Sequence, residues 1–308
     1  MANICRPSGN PSKERMRVAS LGIFVNRQTV ASGDQLHSLI KCRDAAEDLG
    51  HNADFIFPTE IKKVLKTDGL FIRHNTDPLN MAFVAAKMAS LHNIPVIDDP
   101  SSIQICADKI NMYYHLMKNG VSIPRTEFIG RKDVCPQRAT ELFDRWGTPL
   151  VLKEPGTSFS ARVEKANDAD EFVRLGKRFS RLSDIIVAQE FIRSSYDWRI
   201  GVLDGQLLYA CKYHIPPETF KIQASVNGHI VYCRTESVPM DQVPSSVLET
   251  GLKAARSIGG GLYGVDLKES QGKVYVIEVN DNPSLDDGED DHYPGIYHRI
   301  VRKLLESN

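Results

Sequence analysis

Gly264-Val265-Asp266-Leu267-Lys268-Glu269-Ser270-Gln271-Gly272-Lys273-Val274-Tyr275-Val276-Ile277-Glu278-Val279-Asn280 decides the fold of this 308-residue chain. Two apolar runs flank a polar turn. Side chains two apart share a strand face, so Val274, Val276, Glu278 and Asn280 form one ladder that ends in an acid and an amide. With a three-residue loop 271–273, Ser270 pairs with Val274 and Asp266 lands opposite Glu278 on the same face. Carboxylates held that close repel unless a cation lies between them. An oxygen-rich set of this kind suits Mg2+, with Mn2+ as a substitute, because such ions take carboxylates plus substrate phosphates. Asn280 adds a neutral oxygen ligand. The alternative is two solvated acids at a strand end, and a four-residue loop would part them.

Upstream, Asp204-Gly205 between two apolar runs signals a two-residue hairpin that pairs Leu203 with Gln206. Counting back, Asp197 falls opposite Lys212 and Arg199 opposite Ala210, which gathers three charges on one face, or makes a single cross-strand salt bridge. Strands are also expected at 149–154 and 185–192, with helices at 168–179, 247–258 and 294–307. Nearer the N-terminus, short apolar runs at 18–25, 53–57, 69–73 and 95–97 look like buried parallel strands. Helical stretches at 34–49 and around Leu79 to Leu91 separate them, and another helix covers 108–119. Strand and helix alternate first and strands dominate later, so the fold class is α/β followed by α+β. Residues 1–16, rich in Ser, Pro, Asn and charge, read as a tail.

A formal net charge of -1 and a pI near 6.8 supply no basic field for a nucleic-acid backbone. The six cysteines are scattered, without C-x2-C spacing, and read as reduced thiols in a cytoplasm. No apolar run approaches the roughly 20 residues that span a bilayer. Small-molecule or peptide substrates are therefore expected rather than nucleic acid or membrane, with a homo-oligomer left open.

The strings Gly264-Val265-Asp266-Leu267, Val276-Ile277-Glu278-Val279-Asn280 and Asn282-Pro283-Ser284 resemble the metal-binding signature of ATP-grasp ligases, most nearly the RimK-type branch. The resemblance runs back through Val187-Ala188-Gln189-Glu190-Phe191-Ile192, Asp197-Trp198-Arg199-Ile200 and Val151-Leu152-Lys153 to Asp108-Lys109, in the family's order. It implies a small α/β pre-ATP-grasp domain at 17–104 and a two-lobed ATP-grasp domain at 105–308, with a lid lobe at about 122–185, a C-terminal lobe at about 186–308 and ATP between the lobes. It also implies that Lys109 and Lys153 reach the nucleotide, that Gln189, Glu190, Phe191 and Ile192 hold the adenine, and that Asp197 lies near the nucleotide or the lobe junction. Lys221 and Gln223 fall where the family places contacts to phosphate, and Asp266, Glu278 and Asn280 where it binds metal. One departure is the phosphate loop: Glu154-Pro155-Gly156-Thr157-Ser158-Phe159-Ser160 has a single glycine where RimK-type enzymes are glycine-rich.

The implied reaction is amide formation through an acyl phosphate, with an amino acid such as glutamate as one partner. Arg199 and Lys212 stabilise charge as the γ-phosphoryl group moves. Arg73, beside His74 and Thr76 at a strand end, is placed to clamp a substrate carboxylate, or to form a loop salt bridge. The acidic run Asp286, Asp287, Glu289, Asp290 and Asp291 reads as a solvated loop. An ATP-binding regulatory module without turnover and a small-molecule kinase are the competing classes.

Overall fold

The computed structural model describes residues 17–156, 162–216, 219–221, 223–226, 229–285 and 288–306, with 223–226 and 229–232 as backbone. The chain opens with β1 (Ser20–Val25), α1 (Arg27–Ala31), α2 (Gly33–Asp48), β2 (Asn52–Ile56), a 3-10 stretch at Pro58–Lys66, β3 (Gly69–Arg73), α3 (Met81–Leu91) and β4 (Val96–Ile97). The four strands form a parallel sheet in the order β2-β1-β3-β4. Both faces of β3 are buried throughout, which is why its sequence is an unbroken apolar run up to Arg73. Two short helices follow, α4 (Pro100–Cys106) and α5 (Lys109–Lys118), and each begins at an aspartate. Asp99 accepts from the amides of Ser101 and Ser102, and Asp108 from that of Asn111, so both satisfy helix-start donors that have no partner inside the helix.

The next lobe holds β5 (Thr126–Gly130), α6 (Pro136–Trp146), β6 (Leu150–Lys153), β7 (Val163–Ala166), α7 (Ala169–Phe179) and β8 (Ile185–Glu190). Its antiparallel sheet has the order β5-β8-β6-β7, and Leu142, Leu152, Phe172, Phe179 and Ile186 share its core. Because β8 pairs with both β5 and β6, this lobe extends to Glu190, past the boundary expected at 185/186.

The largest sheet is built from β9 (Tyr196–Leu203), β10 (Gln206–His214), β13 (Arg234–Ser237), β14 (Leu262–Ser270) and β15 (Lys273–Asn280), in the order β13-β10-β9-β14-β15. A separate hairpin of β11 (Gln223–Val226) and β12 (His229–Tyr232) precedes β13; α8 (Ser245–Ile258) and α9 (Ile296–Leu305) complete the chain. One face of this sheet packs on α5 and α8 around Trp198, Ile200 and Val265. The other shares a core with the N-terminal sheet, where Tyr209 and Tyr213 meet Leu21, Ile23 and Ile300. Helix α9 packs on α2, β1 and β3, so the last helix completes the core of the first sheet. Among the described residues no helix is long and apolar enough to cross a membrane.

Two turns differ from expectation in instructive ways. Gln206 pairs with Leu203 as expected, but a bulge at Leu208 moves Tyr209 opposite Gly201, and every later pair shifts by one. Lys212 therefore faces Trp198, and Arg199 faces Cys211. The second hairpin closes with a two-residue turn, since Ser270 pairs with Lys273, and Gln271 and Gly272 take positive φ of 52° and 71°. A bulge at Ile277 then restores the pairing of Asp266 with Glu278.

The bulge on β10 turns the Tyr209 ring over Gly201, where an added Cβ would lie 2.1 Å from the ring carbons. Gly201→Ala is expected to destabilise the chain by about 2–3 kcal/mol, since neither a central strand nor a buried ring can give way cheaply. Denaturant melts within about 0.5 kcal/mol of the parent would refute this close approach.

Candidate active site

Arg199 on β9 and Asp266 on β14 are register partners on the strand face turned away from Trp198. Arg199 donates from Nε and Nη2 to the two carboxylate oxygens of Asp266 at 2.5 and 3.0 Å, with both side chains buried. This is a two-toothed pair of the kind guanidinium geometry favours. Asn280 Nδ2 donates to Asp266 Oδ2 at 3.2 Å and to the Gly264 carbonyl at 3.3 Å. Glu278, opposite Asp266, is more exposed and lies 3.4 Å from Lys109 Nζ. Burial raises the pKa of Asp266, Arg199 opposes that shift, and the neighbouring charge of Glu278 adds to it.

Two residues further along β14, the same pattern repeats with the signs exchanged. Lys268 Nζ contacts Asp197 Oδ1 and donates to Ser194 Oγ at 2.9 Å, and Ser194 Oγ bonds Asp197 at 3.1 Å. Lys268 was absent from the sequence reading. The signal was there: Asp197-x-Arg199 set antiparallel to Asp266-x-Lys268 makes two opposite-charge pairs on one face.

Asp266, Glu278 and Asn280 give two carboxylates and an amide oxygen from adjacent strands, a donor set that suits a hard divalent cation. Among the described residues no cluster of three His, Cys, Asp or Glu side chains is preformed for a metal. A cation here would complete its shell with oxygens from a substrate or water, as Mg2+ commonly does.

In the lobe of β5 to β8, Lys153 ends β6. Its buried ammonium donates to Tyr113 Oη at 2.7 Å, and desolvation pulls its pKa down to about 8, against the raising influence of Glu278 and Asp197. Tyr113 in turn donates to the carbonyl of Ile277, the bulged residue beside Glu278. Lys109 opens α5 as a buried side chain paired to Glu278, not as a helix-surface lysine. Gln189 is buried and donates from Nε2 to Thr126 Oγ1 at 2.8 Å. Glu190 takes two bonds from Arg125, at 2.9 and 2.7 Å, and the Arg125 hydrogen bond lowers its pKa. Beyond β8 the Phe191 ring meets Phe220 edge to face at 6.1 Å, with Lys165 Nζ 3.9 Å from the Phe191 ring centre and 4.5 Å from that of Phe220. Ile192 is buried. Lys221 lies 3.9 Å from Glu164, and Gln223 opens β11.

Some expected site residues are not brought together. The bulge puts Lys212 on the face opposite Arg199, where its ammonium rests 4.8 Å from the Tyr196 ring centre and 4.7 Å from that of Trp198. Lys212 and Arg199 therefore do not share a strand face, contrary to the expected register. Arg73 is buried and donates to Asn282 Oδ1 at 2.6 Å and to the Pro283 carbonyl at 2.8 Å, so it braces the loop after β15. The acidic run is not wholly solvated: Glu289 is buried and Asp290 pairs with Lys41 at 2.9 Å. Asp286, Asp287, the expected tail 1–16 and the Ser158-Phe159-Ser160 segment lie outside the described residues.

The family model for the RimK-like ATP-grasp domain matches residues 106–304. The chain is 27% identical over 216 residues to the glutamate–LysW ligase ArgX of Sulfolobus acidocaldarius, covering 68% of this chain and 72% of that protein. It is 25% identical over 271 residues to the coenzyme gamma-F420-2:alpha-L-glutamate ligase of Methanococcus maripaludis, covering 83% and 90% of the two chains. Among solved structures, the RimK domain ATP-grasp protein of Sphaerobacter thermophilus superposes with a TM-score of 0.68 at 16% identity, covering 93% of this chain and all 100% of that one. With the family model matching well over half of its length, this chain belongs to the RimK-like ATP-grasp family of ligases.

Proposed function

We propose that this ligase joins a carboxylate to the amine of glutamate or a closely related amino acid, in a reaction driven by ATP with Mg2+. One observation carries the site assignment: the buried Arg199–Asp266 pair lies between Asn280 and the Glu278–Lys109 pair, with Lys153 facing it from the small lobe. Glutamate is supported by its presence in the names of both sequence relatives. The lobe of β5 to β8 is the lid that closes over ATP.

A carboxylate is a poor electrophile because attack by an amine must expel oxide. Phosphorylation supplies a better leaving group, and the chain's task is to hold the reacting oxygens in line while neutralising the charge that moves. Asp266, Glu278 and Asn280 would hold the Mg2+, which when bound would supply Lewis-acid neutralisation of phosphate charge. Lys109 and Lys153 present two ammonium groups to the phosphates. Arg199 lies beside the metal ligands and stabilises the charge developing on the transferred group. Gln189 and the backbone of 190–192 line the adenine end, and Asp197 with Lys268 closes the floor between them. Lys221, 3.9 Å from Glu164, would be a further cation for the phosphates.

The test is release of ADP and inorganic phosphate with Mg2+, using glutamate and other amino acids paired against small carboxylates and peptides. Turnover is expected only with a specific pair, and Glu278→Gln should lower it by about 100-fold or more. ADP with a stable phosphorylated product would show a kinase, and tight ATP binding without turnover across the panel would show a sensor.

Lys153 gives a second outcome. In the free chain its pKa lies at about 8, and a phosphate beside it would restore the charged form. ATP affinity is therefore expected to be greatest below pH 8 and to fall as pH rises through that value, by up to about tenfold per unit. Titration calorimetry across this range checks it, and a Lys153→Met variant with the same pH slope as the parent would dismiss Lys153 as the phosphate contact.

A further inference from the structure

Glu289 stands in the acidic run after β15, yet it is only 4% exposed. Desolvating a carboxylate costs several kcal/mol unless its surroundings compensate, and the groups around Glu289 are specific. Tyr213 Oη donates to Glu289 Oε1, and Ser284 Oγ donates to the same oxygen at 3.1 Å. Ser237 Oγ donates to the Glu289 backbone carbonyl at 3.3 Å, which fixes the residue at both its ends. Tyr213 is on the Arg199 face of the sheet, and the Arg199 guanidinium lies 5.1 Å from its ring centre. An unbroken line of contacts thus runs from Asp266 through Arg199 and Tyr213 to Glu289.

The two sides of Arg199 differ in what they can do during the reaction. Asp266 is a metal ligand in the function proposed above, so its oxygens cannot stay wholly committed to Arg199 once a cation arrives. A guanidinium released by this two-toothed partner would follow the carboxylate or swing free unless another group held it. The Tyr213 ring offers a second hold that no metal competes for, because a ring face attracts a cation without using a carboxylate. The ring holds its place only if the phenol is fixed, and Glu289 fixes it.

We infer that Tyr213 and Glu289 are positioning residues for Arg199: the Glu289 carboxylate tethers the Tyr213 hydroxyl, and the tethered ring keeps the guanidinium in place when Asp266 turns to the metal. The catalytic consequence rests on the ligase function; the positioning itself does not. The loop after β15 then does more than close the chain, since Ser284 and Glu289 together tie it to the residue that meets the transferred phosphoryl group.

The experiment follows the Arg199 Nε–H resonance of the full-length 15N-labelled chain with Mg2+, assigned through Arg199→Lys, and measures its exchange with solvent. Tyr213→Phe and Glu289→Leu break the tether and are expected to speed exchange by about tenfold, whereas Glu289→Gln, which still accepts from the Tyr213 hydroxyl, stays within about threefold of the parent. Exchange at the parental rate in both tether-breaking variants would overturn the inference. In the ligase assay the same two variants should lose kcat by about tenfold at unchanged KM for ATP, with Glu289→Gln restoring it. Losses that instead track the melting temperature alike in all three would also overturn it, as a purely structural role. Absence of turnover in the parent chain with any substrate pair would sink the ligase function alone, and the exchange rates would still decide the positioning.

Discussion

The buried pairing of Arg199 with Asp266 is the constraint on which the centre of this molecule depends. Both side chains lie in the middle of the largest sheet, on adjacent strands, where neither charge can be left alone without a cost of several kcal/mol. Sliding β9 by one residue against β14 would turn Arg199 into the apolar core around Trp198 and Val265 and leave Asp266 buried without it. Asp197 and Lys268 repeat the demand further along the same two strands. Two opposite-charge pairs on one face therefore fix the register of the sheet, and Asp266 pairs on its other side with Glu278. A hydrophobic pair would hold the strands as well. It would leave nothing for a cation or a phosphate to meet.

How much of this could be read from the sequence depended on which interactions set the geometry. The strand and helix runs follow from apolar periodicity, and β3 was legible to the residue. The meeting of Asp266 and Glu278 was expected for a partly wrong reason: the turn is shorter than assumed by one residue, and the bulge at Ile277 compensates. On β10 no second irregularity compensates for the bulge at Leu208, so Lys212 ends on the far face. A bulge leaves little trace in a hydrophobic pattern, because it depends on how rings such as Tyr209 pack across the strand onto a glycine. Lys268 is legible only through its partner: the D-x-R string of β9 set against the D-x-K string of β14 pairs it with Asp197.

The loop from Asp281 to His292 was the least legible part, since its composition suggests solvation and its burial depends on partners far away in sequence. Arg73 comes from the first sheet, Lys41 from α2, and Tyr209 and Tyr213 from β10. Long-range pairing of this kind turns an acidic loop into a strap between the N-terminal sheet and the central one. Helix α9 follows directly and buries Ile300, Val301 and Leu304 with the strands that began the chain. Helix α9 thereby covers the N-terminal sheet on the side of α2.

The charges around Asp266 are unevenly partnered. Lys109, Arg199 and Lys268 each meet a carboxylate, while Lys153 bonds the neutral hydroxyl of Tyr113, and desolvation leaves it easier to deprotonate. Two lysines thus stand near the acids of the central sheet from different elements, Lys109 from α5 and Lys153 from β6. The lobe of β6 is joined to those elements by backbone as well as by charge: the Lys109 amide donates to the Pro155 carbonyl at 3.1 Å, and Ser122, just before β5, accepts from the Val276 amide and donates to the Val274 carbonyl on β15. In the proposed function a polyanion with its metal ion would satisfy both signs at once, phosphate for the lysines and metal for Asp266 and Glu278.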